Sequence, residues 1–157
     1  MAGNCGGIDL RLEASSRQRE DNRNNRRKEP MTKTRSKKVV IKWLDNPEKQ
    51  DYPAALSYLS LIYDGKKAAN YVKRLKGAPA ALFKAKDIFR ASDLPLLGVS
   101  NSHVKQDQKK IESGAKLSPL LLVRDSANGK VVIADGYHRL CAIYFYDEDA
   151  IIRCRIV

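Results

Sequence analysis

Cysteine, histidine and tryptophan are all scarce in this 157-residue sequence. The three cysteines, Cys5, Cys141 and Cys154, are an odd number without ligand-like spacing. That argues against a disulfide scaffold and for a reducing, cytoplasmic setting. His103 and His138 are the only histidines; without a His/Cys cluster, no structural metal is expected. No apolar run approaches the length that spans a bilayer and no signal-peptide pattern opens the sequence, so no membrane partner is expected. Aromatic residues make up 7% and do not interleave with basic ones, and neither a recognition-helix pattern nor an RNA-binding signature is present.

Against 18 acidic residues stand 30 lysines and arginines, a net charge of +12. Residues 1–30 carry +2, residues 31–38 carry +4 and residues 39–157 carry +6. Such a field attracts polyanions; it suits nucleotide phosphate and permits weak, sequence-insensitive, salt-sensitive nucleic-acid binding. Residues 1–38 are rich in Asn, Arg, Ser, Gln and Glu, with few apolar residues after Leu12, and are expected to form a disordered basic tail. Met31, just before Val39-Val40-Ile41, reads as an alternative or the true translation start, with residues 1–30 then an upstream extension.

Residues 39–157 have the composition of one domain with a real core. Val39, Val40 and Ile41 read as a first strand. Asp51-Tyr52-Pro53 is a helix-start signal. Ala55, Leu56, Leu59, Ile62 and Tyr63 then recur on one helical face, Asp64-Gly65 interrupts, and Ala68, Ala69, Tyr71, Val72 and Leu75 recur on a second. Residues 51–77 therefore read as a helical hairpin. Its tyrosines, at helical spacing, are expected in the core rather than as base-stacking platforms. A strand leading into a short helix follows over 82–88. Leu94-Pro95-Leu96-Leu97 makes a rigid apolar turn, and a helix runs from His103 to Glu112 before Ser113-Gly114.

The densest chemical signal lies at 131–142. Val131-Val132-Ile133-Ala134 reads as a buried strand, Asp135-Gly136 as a turn, and Leu140, Ala142, Ile143 and Phe145 recur with helical spacing. A strand–glycine–helix transition leaves the first helical N–H groups unpaired at the positive end of the helix dipole, which is an anion site. His138 and Arg139 add donors suited to phosphate oxygens, and Tyr137 stands between them and the glycine. Asp135 either holds Mg²⁺ through water, accepts a proton from a substrate hydroxyl, or braces the turn. Cys141, on the apolar side of this helix, reads as a small buried hydrophobe.

Leu117-Ser118-Pro119-Leu120-Leu121-Leu122-Val123-Arg124, the Asn128-Gly129 turn, the second strand and Asp135-Gly136-Tyr137-His138-Arg139 together resemble the ParB/sulfiredoxin superfamily. The resemblance covers residues 82–157. It implies a small α/β domain, a mixed sheet with flanking helices, whose core over 82–157 binds nucleotide phosphates. It does not by itself choose a reaction, because relatives include a repair reductase, free-serine kinases, CTP-binding partition proteins and nucleases. Tyr137 stands where sulfiredoxins carry their catalytic cysteine, and a phenol cannot supply thiolate chemistry at neutral pH. Partition proteins place two arginines where His138-Arg139 stand, and follow the domain with a helix-turn-helix that this sequence lacks. In family terms the helix beginning near His103 contributes to the pocket. Asn101, His103 and Lys105 are candidates, with His103 either binding phosphate or capping its own helix. Lys116 and Ser118 flank the next strand and join the phosphate-binding candidates.

The expected function is thus an NTPase or small-molecule kinase using ATP or another nucleotide with Mg²⁺. In it Asp135 and His138 are catalytic, and Gly136, Tyr137, His138, Arg139, His103, Lys105 and Ser118 bind phosphate. A non-catalytic nucleotide sensor or DNA-associated regulator is the alternative, favoured if no second carboxylate approaches Asp135. A nuclease is third, since no carboxylate cluster of the two-metal kind is visible.

Overall fold

The computed structural model describes residues 39–157, and the expectations about the tail and about Met31 lie outside the described residues. The protein is a small α/β fold. Its elements in order are β1 (Lys42–Trp43), α1 (Asp51–Ile62), α2 (Gly65–Gly77), β2 (Ala80–Lys84), α3 (Ala85–Ser92), α4 (Ser102–Glu112), β3 (Lys116–Leu117), β4 (Leu120–Asp125), β5 (Lys130–Asp135), α5 (Tyr137–Tyr146) and β6 (Ile151–Ile156). Val39–Ile41 do not form the first strand; only Lys42 and Trp43 do, pairing in parallel with Lys116 and Leu117. Val40 is exposed while Val39, Ile41 and Trp43 pack on the core, so apolar character here reflects burial without a strand partner.

The main sheet has the order β2-β6-β4-β5, antiparallel except for the central β4–β6 pair. Leu120, Leu121, Leu122 and Val123 are all buried because helices cover both faces of β4. Leu120 and Leu122 pack with Ile88, Val104, Leu140 and Ile143 under α3, α4 and α5. Leu121 and Val123 pack with Ala55, Leu59, Ala68, Val72 and Leu75 under the α1–α2 pair. The period-two alternation of one strand thus feeds two separate cores.

The α1–α2 pair turns at Asp64, whose carboxylate caps α2 by accepting from the Lys67 N–H at 2.9 Å. At the other end of α2, Arg155 donates to the carbonyls of Leu75 (3.2 Å) and Lys76 (2.5 Å), tying the helix terminus to β6. The apolar stripe of α1 is narrower than its composition suggests. Ala55 and Leu59 are buried, whereas Leu56, Tyr58, Leu61 and Ile62 are exposed, Leu61 at 84%.

Candidate functional site

The register of β5 shifts beside its end: Leu122 pairs with Ile133, but Leu121 pairs with Asp135. This bulge leaves Ala134 as the extra residue and sets Asp135 opposite a residue of the α1–α2 core. Gly136 follows with φ 98°, in the left-handed region, and serves as the N-terminal boundary of α5 with no side-chain cap. A Cβ here would lie 2.7 Å from Leu120 Cγ and 3.1 Å from Arg139 Nη2, so the protein's own packing demands the glycine.

Behind this turn lies a charged cluster. Arg139 Nη2 meets Asp135 Oδ2 at 2.5 Å and Nη1 lies 3.7 Å from Asp51 Oδ1. The side chains of Arg139, Asp135 and Asp51 are 14%, 21% and 5% exposed. Asp51, the first residue of α1, is held in turn by a hydrogen bond from the Ser118 hydroxyl and by one from the Glu48 N–H at 3.0 Å. The same Glu48 N–H also lies 3.0 Å from Ser118 Oγ. Burial raises the Asp135 pKa against the pull of Arg139, and Asp51 pushes it further up. The second carboxylate near Asp135 is therefore Asp51, which sequence reasoning read only as a helix-start residue. Nothing in local spacing could couple it to residues so far along the chain. Arg139 occupies the space between the two carboxylates, the place a shared metal would need.

On the outer side of the same turn, His138 and His103 face one another with ring centroids 4.9 Å apart. Each is the second residue of its helix, α5 and α4. Asn101 caps α4 by accepting from the N–H groups of His103 (3.0 Å) and Val104 (3.2 Å), which leaves the His103 ring for its neighbour. Burial lowers the His138 pKa, His103 and Arg139 lower it further, and the buried carboxylate Asp107 opposes them. The Tyr137 ring lies 5.9 Å from that of His138, tilted by 40°, and its hydroxyl donates to the Pro95 carbonyl, pinning the 94–97 turn to α5.

Of the residues singled out from sequence, the fold brings Asp135, Gly136, Tyr137, His138, Arg139 and His103 to one turn. Ser118 reaches the cluster from beneath, buried and bonded to Asp51. Lys105 and Lys116 are exposed, Lys105 one turn along α4 and Lys116 in β3. Cys141 is fully buried, and burial raises its thiol pKa. Among the described residues no group of three or more His, Cys, Asp or Glu side chains is placed to hold a metal ion, and no helix is long and apolar enough to cross a membrane. Two concavities lie elsewhere: an apolar one of about 280 Å³ between α3 and the sheet, and an open one of about 590 Å³ beside α2. No family model, curated protein or solved structure matches the chain.

Proposed function

We propose that the first turns of α4 and α5 bind the phosphates of a nucleotide, and that the protein is a phosphoryl-transfer enzyme of the NTPase or small-molecule kinase type. The observation that carries this reading is the meeting of the only two histidines at adjacent helix starts, beside an α5 terminus that no side chain caps. Amides at that terminus and two imidazoles are complementary to phosphate oxygens. Asp135, its pKa raised by burial, is suited to accept the proton of an acceptor hydroxyl. Mg²⁺ would arrive with the nucleotide, held by its phosphates and water; Asp135 would meet it through water only as the alternative to accepting the proton.

A second reading, a nucleotide sensor without turnover, is favoured by one observation. Arg139 is already paired with two carboxylates of its own chain and so is not free for a transferred phosphoryl group.

The test follows the two histidine side chains by NMR while ATP, ADP, CTP, GTP or inorganic phosphate is added, with and without Mg²⁺. Binding is expected to shift both rings and raise the His138 pKa. His138→Gln should weaken it by roughly tenfold, one charge-assisted hydrogen bond. If no nucleotide perturbs either histidine, the site is wrong; saturable binding without release or transfer of phosphate selects the sensor.

A further inference from the structure

The 13 residues of α2, Gly-Lys-Lys-Ala-Ala-Asn-Tyr-Val-Lys-Arg-Leu-Lys-Gly, contain five basic side chains and no acidic one. Ala68, Val72 and Leu75 face the core, so Lys66, Lys67, Lys73, Arg74 and Lys76 are all exposed; Lys67, Arg74 and Lys76 lie over the rings of Tyr63, Tyr71 and Tyr52, and Lys66 and Lys73 project into solvent. Lys66, Asn70, Lys73, Arg74 and Gly77 recur at helical spacing on one stripe. Residues 70, 73, 74 and 77 of this stripe form one wall of the open concavity of about 590 Å³. Arg124, at the exposed end of β4, closes its other side, and no acidic side chain lines it. Among the described residues none of Lys73, Arg74 and Arg124 has a carboxylate within ion-pair distance, although Lys84, Lys86, Arg90, Lys110 and Lys130 each do. The concavity lies at the C-terminal end of α2, where the helix dipole would repel an anion. Arg155 offsets that by donating to the last carbonyls and fixes the helix end in place.

We propose that this α2–Arg124 face binds the phosphodiester backbone of a nucleic acid. The occupant follows from the shape of the charge. Lys66 to Arg74 spans about 12 Å of helix, a line of cations rather than a point, and a duplex presents a charge roughly every 1.7 Å of its axis. The exposed face of α2 carries no large apolar side chain, and the concavity's apolar lining is confined to Ala78, Pro79 and the half-buried Ile156 and Val157. A lipid surface would require an apolar face to insert beside the lysines. Recognition is of the backbone and not of base edges, so binding is indifferent to sequence. The face is independent of the histidine pair, none of whose residues line it.

The experiment is an anisotropy titration of the full chain against a short labelled DNA duplex at two salt concentrations. The face variant Lys73→Gln/Arg74→Gln/Arg124→Gln is compared with Lys42→Gln/Lys49→Gln/Lys109→Gln, which removes the same charge from exposed positions elsewhere. The face variant should lose at least tenfold in affinity and reduce the magnitude of the salt slope by about 2 to 3, as three lost phosphate contacts require, while the control variant changes little. Lysine acylation of the unmutated protein provides a second readout, with duplex protecting Lys66 and Lys73 but not Lys49 and Lys109. Equal losses in the two variants, or no protection at α2, would show only a diffuse field and overturn the proposal. So would binding to phosphatidylserine-containing vesicles in preference to the duplex.

Discussion

Arg139 Nη1 lies 3.7 Å from Asp51 Oδ1, and this contact joins the first turn of α1 to the first turn of α5 across the end of the sheet. Because the guanidinium also holds Asp135, Arg139→Ala would leave two largely buried carboxylates facing each other. The expected loss is about 3 kcal/mol, the low end for breaking a buried pair because the cluster keeps some solvent contact. Combining Arg139→Ala with Asp51→Ala should cost less than the sum of the two single changes. Urea unfolding of the three variants measures this; additive losses would mean that the residues do not act together.

Gly136→Ala introduces a Cβ 2.7 Å from Leu120 Cγ and forces an alanine to φ 98°. Left-handed strain and overpacking together should destabilise by about 2–4 kcal/mol. Adding Leu120→Ala relieves the clash but creates a cavity and leaves the strain, so the double variant should not return to wild-type stability. Thermal unfolding distinguishes the outcomes, and a neutral Gly136→Ala would show that the turn relaxes freely.

With two histidines in the sequence, each titration is assignable by substitution. His138 should titrate below the ordinary histidine value of 6.5, because burial and His103 disfavour its charged form. His103→Gln removes a repelling neighbour and should move that titration upward. Asp107→Asn removes an attracting one and should move it down. Ring-proton NMR across pH reads both shifts, and opposite directions would refute the geometry of the pair.

Two groups at the start of α5 set opposing pH dependences of stability. His138 has a lowered folded pKa, so its contribution is complete above 6.5 and is lost as pH falls through the folded value. Asp135 has a raised pKa, so the folded state holds a proton that the unfolded chain releases above 3.8. Its contribution is present at low pH and is lost as pH rises through the folded value. His138→Gln should therefore flatten the decline in stability just below 6.5. Asp135→Asn should remove the pH dependence on the more acidic limb of a urea-midpoint profile and, above that limb, lower the midpoint by breaking the pair with Arg139.

Much of the fold is legible because local chemistry and burial agree. Pro53 at a helix start, Asp64 before α2, Ser113-Gly114 after α4 and the Asn128-Gly129 turn all mark boundaries that the structure uses. Val131–Ala134 reads as a strand for the same reason and lies in β5, with Ile133 and Ala134 buried. What failed was partner-dependent: Val39–Ile41 have strand-like residues but no neighbour to pair with, and α1 exposes Leu56 and Ile62 despite their apolar spacing. At the site, the Asp135–Arg139 segment was visible as a string of donors, but its partners were not. Asp51 and Ser118 enter through the long-range packing of α1 against β5, and the bulge at Ala134 depends on pairing between strands.

The central place of β6 has a consequence for how the protein comes into being. This strand is the last of the described elements in sequence, yet it lies between β2 and β4, antiparallel to one and parallel to the other. A nascent chain that has not reached Ile151 holds β2 without its partner and β4 with an open edge. Ile152 and Cys154 are also missing from the core they complete. Such a chain has its helices but no continuous sheet to lay them on, and its unpaired strand edges invite association with other chains. Completion of the sheet therefore waits on long-range pairing of the last strand. Ribosome stalling or proteolytic clipping anywhere before residue 151 should yield insoluble fragments rather than a smaller folded domain.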